Sequence, residues 1–114
     1  MELTLYTDER LEIKSEPSAG GLRLKGEIDA WNVDSAASIL AQHLPDGDIY
    51  LDLTGLSFCD VNGIRALIAL AEKANPKQRF IVRGLAPQLR EVLQIVGWAQ
   101  VPQLRFEESG GESQ

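Results

Sequence analysis

The sequence predicts an α/β fold: a mixed sheet that starts as an N-terminal hairpin and turns parallel at its centre, with helices packed against it. Three observations predict it. Over the first quarter of the chain, apolar residues alternate with polar ones in short runs, the period of half-buried strands. After Asn32, runs with helical spacing alternate with short apolar runs, the order expected of strand–helix–strand units on a parallel sheet. The 114 residues suit one core, and with 44% apolar and 25% charged residues that core needs neither disulfide nor metal to hold it.

The elements follow in order. Leu3 and Leu5, Leu11 and Ile13, then Leu22 and Leu24 mark short strands, with Pro17 to Gly21 as the turn between the last two. Gly26, Glu27, Ile28 and Asp29 lead to Asn32, which can cap a helix whose apolar residues fall at Val33, Ala36, Ala37 and Leu40. Pro45, Asp46 and Gly47 stop that helix. Ile49, Leu51 and Leu53 share a strand face, and Leu56 and Phe58 prolong the apolar run around Gly55.

Ile64, Leu67, Ile68 and Ala71 then repeat helical spacing, and Ala66, Ala69 and Leu70 widen the stripe until burial of much of the helix is required. Asn75 and Pro76 end it. Phe80 to Val82 make a strand closing at Gly84. Pro87 opens a third helix with Leu89, Val92, Leu93 and Val96 on one face, stopped by Gly97. Val101, Leu104 and Phe106 add a last short strand. A single domain over residues 1–106 is expected, with a flexible Glu, Ser and Gly tail over residues 107–114 whose composition does not repay the entropy of ordering.

Seventeen acids against eleven scattered bases give a net charge of −6, which repels phosphate backbones and disfavours nucleic acid and anionic membrane as partners. A basic protein surface fits better. Met1 is followed by acids rather than by a basic and apolar leader, no stretch is long enough to span a bilayer, and Cys59 has no second cysteine, all of which point to the cytoplasm.

The junction Asp60-Val61-Asn62-Gly63 joins an apolar strand to the most apolar helix. The first N–H groups of a helix lack internal partners, so such a place attracts acceptors. Asp60 is the N-cap candidate, and Gly63 permits close approach of another backbone. Capping alone explains Asp60. Strand-to-helix loops at the open end of a parallel sheet are also where α/β proteins place ligands and partners.

The stretch "LDLTGLSFCDVNGIRALIAL" resembles the central signature of STAS domains, in which a strand runs into Asp-Ser-Ser-Gly or Asp-Ser-Thr-Gly before a Leu-rich helix. Upstream, "LRLKGEIDAWNVDSAASIL" resembles the family's strand ending in Gly-Glu-Ile-Asp. Downstream, "RFIVRGLAPQLREVLQIVGW" resembles its third strand–helix unit. Three motifs in order cover the chain from Leu11 to about Phe106. The resemblance implies a STAS-like fold and, for free-standing bacterial members, a partner-switching role in transcription regulation: an anti-sigma-factor antagonist that binds an anti-sigma factor or serine kinase and frees the sigma factor.

In such members the phosphorylated Ser or Thr immediately precedes the glycine. Here that position is Asn62, and the serine before it is Val61, so no phosphorylation is expected there. The implied partner-binding residues are Asp29, Asp60, Val61, Asn62, Gly63, Ile64 and Arg65. Arg65 is a cation in a first helical turn, where the dipole disfavours it, and faces either solvent or an acidic partner. The alternative reading is a small-anion or ligand-sensing STAS domain without sigma-factor control, since the same helix start could hold an anion.

No catalytic set can be named, and no cofactor is implied. His43 lacks the companions of a zinc site, so no metal is expected, and Cys59 reads as a packed thiol with a redox role open. Ser35, Thr54 and Ser57 have no base near them in sequence. Trp31 and Trp98 read as core or rim packing, with an interface role second.

Overall fold

The computed structural model describes residues 2–16, 21–44, 46–73, 77–95 and 104–107, for residues 92–94 and 104–107 the backbone alone. The elements run β1 (Leu3–Thr7), β2 (Leu11–Glu16), β3 (Gly21–Ile28), α1 (Val33–Gln42), β4 (Ile49–Cys59), α2 (Val61–Lys73), β5 (Phe80–Arg83), α3 (Pro87–Ile95) and β6 (Leu104–Glu107). The six strands lie in one sheet in chain order. β1, β2 and β3 pair antiparallel, and β3 to β6 pair parallel. Each strand–helix–strand step moves one place in the same direction, so right-handed connections put all three helices on one face.

The core lies between that face and the helices. Leu11 and Ile13 of β2, Leu22, Leu24 and Ile28 of β3, Ile49, Leu51 and Leu53 of β4, and Phe80 and Val82 of β5 point into it, met by Ala36, Leu40, Ile64, Leu70 and Leu89 from the helices. The other face is polar. Arg23 bonds Glu2, Glu16 at 3.2 Å and Asp52 at 3.5 Å, and Lys14 approaches Glu2 at 3.8 Å. These pairs are partly exposed, so they keep the face soluble more than they stabilise it.

β4 departs from strict alternation. It carries one extra residue opposite β3 between Asp52 and Gly55, and another between Leu56 and Phe58. Each bulge turns two consecutive residues outward: Thr54 and Gly55, then Ser57 and Phe58. Leu53, Leu56 and Cys59 therefore all face the core at a spacing of three. Phe58, expected in the apolar run, is 47% exposed instead.

Asn32 also departs from expectation. Its side chain makes no helix cap; it accepts from the Asp29 N–H at 2.9 Å and donates to the Glu27 carbonyl at 3.0 Å. Being almost fully buried, it satisfies the turn between β3 and α1 from inside. Glu107, assigned from sequence to the tail, is the last residue of β6; residues 108–114, Val96, Gly97, Trp98 and Val101 lie outside the described residues, as do Pro17, Pro45, Asn75 and Pro76. Among the described residues no helix is long and apolar enough to cross a membrane.

Candidate functional site

β3 and β4 are parallel neighbours, with Ile28 beside Cys59 at their carboxyl ends. The β3–α1 loop and the β4–α2 junction therefore emerge side by side. The Asp60 N–H donates to the Ile28 carbonyl at 3.2 Å, fastening the junction to the neighbouring strand.

Asp60 caps α2. Its Oδ1 accepts the Gly63 N–H at 2.8 Å while its carbonyl accepts the Ile64 N–H at 3.0 Å. Val61 and Asn62 thus form the first two helical positions and point outward, Val61 being 45% exposed. Gly63 and Ile64 turn the other way, into the core. A Cβ at Gly63 would lie 2.5 Å from Cys59 Sγ and 2.9 Å from Ile28 Cγ2, so the glycine is required by the sheet beneath it rather than by a visiting backbone. Ile64 is fully buried and offers a partner no surface. Of the expected partner-binding residues at this junction, Asp60 is half-buried while Val61, Asn62 and Arg65 are exposed.

Asp29 lies in the adjacent loop. Its Oδ2 pairs with Arg10 and its Oδ1 accepts the Trp31 N–H at 2.9 Å. Burial works against ionisation of this carboxyl, but the Arg10 hydrogen bond and the loop N–H groups outweigh it and hold its pKa below the usual value. Asp29 is thus a loop-tying carboxylate at the rim of the site.

Two large apolar side chains, Trp31, read from sequence as core or rim packing, and Phe58, read as prolonging the apolar run of β4, stand in solvent here. Trp31 is 87% exposed, and Phe58 flanks the β4–α2 junction through the second bulge. The sequence carries one signal for Trp31: it falls off the helical spacing of Val33, Ala36, Ala37 and Leu40. For Phe58 there was one as well: alternation counted from Ile49, Leu51 and Leu53 puts residue 58 on the outward face, and the two bulges, each adding one residue, leave it there.

Cys59 is buried beneath the junction. Desolvation, reinforced by the Asp60 charge, pushes its thiol pKa up to about 12, which removes the thiolate that redox sensing needs. His43 closes α1, with Nδ1 2.9 Å from the Ile39 carbonyl, and among the described residues no cluster of His, Cys, Asp and Glu could hold a metal ion. Ser57 Oγ donates to the Gly26 carbonyl at 3.1 Å, a tie between strands.

Comparisons with known proteins bear on the family and the fold. The family described as "Mlab, STAS domain" matches residues 11–105. A crystal structure of an anti-sigma factor antagonist from Mycobacterium paratuberculosis shares the fold with a TM-score of 0.59 at 21% identity, over 92% of this chain and 86% of that one. The anti-sigma factor antagonist SpoIIAA in its unphosphorylated form shares it with a TM-score of 0.55 at 17% identity, over 89% and 90%. The murine anion transporter Slc26a9, in an inward-facing state, contains a similar unit: TM-score 0.55, 16% identity, covering 90% of this chain and 20% of the transporter. Among curated protein sequences none matches this chain. A family match over most of the chain, on a fold with the STAS arrangement of sheet and helices, makes this chain a member of the STAS domain family.

Proposed function

We propose that this STAS domain is a non-enzymatic interaction module of the anti-sigma-factor-antagonist kind, acting in the cytoplasm and docking an anti-sigma factor or serine-kinase-like regulator on the start of α2. One observation carries the reading: Val61, Asn62 and Arg65 project from a helix start that Asp60, Gly63 and Ile28 fix to the sheet. That rigidity favours a preformed docking tip, since little ordering cost remains for binding. Two structural neighbours that are themselves anti-sigma factor antagonists support the same reading.

Asn62 gives the tip its state. A phosphoryl group there would add about −1.5 to −2 charges. Asn has no hydroxyl to modify and its amide is neutral, so the tip stays permanently in the uncharged, docking-competent form, and regulation acts elsewhere. The anion-sensing alternative draws support from the transporter neighbour, but Asp60 weighs against it: its carboxylate already accepts a free N–H of α2 and repels a second anion.

Affinity capture from native lysate tests the proposal. The wild-type chain recovers an anti-sigma or kinase-like protein, and Asn62→Asp loses it. Unchanged capture by Asn62→Asp, or a thermal shift with phosphate in place of any protein complex, overturns it.

A further inference from the structure

At the same end of the sheet as the α2 tip lies an open cleft of about 520 Å³ lined by Tyr6, Asp8, Glu9, Arg10, Trp31 and Asn32. Both walls are fixed. On one, Asp8 Oδ1 accepts the N–H groups of Arg10 and Leu11 at 2.6 and 2.7 Å, and its Oδ2 accepts the Tyr6 hydroxyl at 2.7 Å. On the other, the Trp31 N–H is held by Asp29 and the buried Asn32 ties the loop to Glu27. Arg10 joins the walls through its pair with Asp29, and its carbonyl accepts the Glu27 N–H at 2.8 Å.

On this tightly held loop the Trp31 indole is 87% exposed. Asp8 and Glu9 line the cleft, the Arg10 charge there is met by Asp29 just outside the lining, and the whole chain carries −6. The Tyr6 hydrogen bond, followed by the turn N–H groups, keeps Asp8 ionised well into acid. An electron-rich ring face in a negative cleft suits a cation, and among cations a guanidinium, which can stack flat on indole while its edge forks toward carboxylates.

We infer that this cleft receives an arginine side chain of the partner that docks on α2, with the guanidinium stacked on Trp31 and facing Asp8 and Glu9. The inference rests on the docking reading above and adds a second anchor to it. Arginine rather than lysine is specified by the indole face, and a basic partner by the sign of the cleft.

The test titrates the full chain with the peptide acetyl-Gly-Arg-Gly-Arg-Gly-amide while following the Trp31 indole N–H resonance, assigned by its loss in Trp31→Phe. A saturable shift is expected, screened away by added salt. It is weakened severalfold by Glu9→Gln, whose side chain takes no part in the bonds of the turn, and is absent with the citrulline analogue. Asn62→Asp leaves this titration unchanged. Trp31→Ala keeps the wild-type melting temperature and weakens partner capture about tenfold. An unmoved indole, or an equal response to the citrulline peptide, overturns the assignment. Loss of capture in Asn62→Asp with an unmoved indole sinks the cleft alone, whereas an arginine-specific shift with capture indifferent to Asn62→Asp sinks the docking reading alone.

Discussion

Gly63→Ala measures how tightly the start of α2 is seated on the sheet. The added methyl would lie 2.5 Å from Cys59 Sγ and 2.9 Å from Ile28 Cγ2, closer than packed atoms approach, and both neighbours are themselves buried. Overpacking of this kind costs about 1–3 kcal/mol. The better helix propensity of alanine returns up to about 1 kcal/mol, less so near a helix end. A net destabilisation of about 1–2 kcal/mol follows, read as a fall in the urea midpoint at unchanged slope. Cys59→Ala removes the nearer obstacle, so the double variant should recover part of the loss, with a coupling of about 1 kcal/mol in a double-mutant cycle. If Gly63→Ala is as stable as wild type, or the cycle shows no coupling, the seat of α2 is looser than the geometry requires.

The remaining expectations concern charge and access. Asn62→Asp adds an acid at a helix N-terminus, where it contributes up to about 1 kcal/mol of stability, so lost capture in that variant cannot be ascribed to unfolding. Cys59 should resist a disulfide reagent at pH 8 in the native chain and react at once in denaturant, because burial keeps it protonated; rapid native reaction would show an open junction. Asp8, Asp29 and Asp48 all have pKa values held below the ordinary carboxylate range, the first chiefly by Tyr6, the second by Arg10 against burial, the third by Arg79. Their folded values being depressed, their stabilisation is complete above the unfolded pKa near 4 and is lost as pH falls through the folded values. The denaturant midpoint should therefore hold from neutrality to about pH 5 and drop below about pH 4; a drop already at pH 6 would implicate another group.

Periodicity made most of the fold legible. The spacing of Ile64, Leu67, Ile68 and Ala71 marked α2, and alternation marked β2 and β3, because in each case a single face meets a single core. Asp60 was legible as a cap because strand, acid and helix follow in sequence. What escaped notice depends on partners distant in the chain. Asn32 has the composition of a cap, yet the carbonyl of Glu27 and the N–H of Asp29 compete for its amide and win. Gly63 suggests openness, but Ile28, thirty-five residues earlier, supplies the crowding that demands it. Trp31 is of a residue type that packs in cores, and beyond its place off the α1 spacing nothing in the sequence shows that it stands in solvent.

The bulges in β4 permit one further test, because they separate register from sequence spacing. Deleting Ser57 removes the extra residue between Leu56 and Phe58 and leaves Gly26, Glu27 and Ile28 facing the same partners as before. Alternation then becomes regular over Leu56, Phe58 and Cys59: in, out, in. The cost is the Ser57 bond to the Gly26 carbonyl, about 1 kcal/mol for a hydrogen bond at an exposed site. Deleting Tyr50 instead removes a residue where pairing with β3 and β5 is regular, and a one-residue slip there sends Leu51 and Leu53 to the wrong face. The first deletion should fold with Cys59 still shielded from thiol reagent, and the second should not fold. If both variants unfold, or if Cys59 becomes reactive when Ser57 is absent, the second bulge is needed to aim α2 at its seat and is more than an accommodation of one surplus residue.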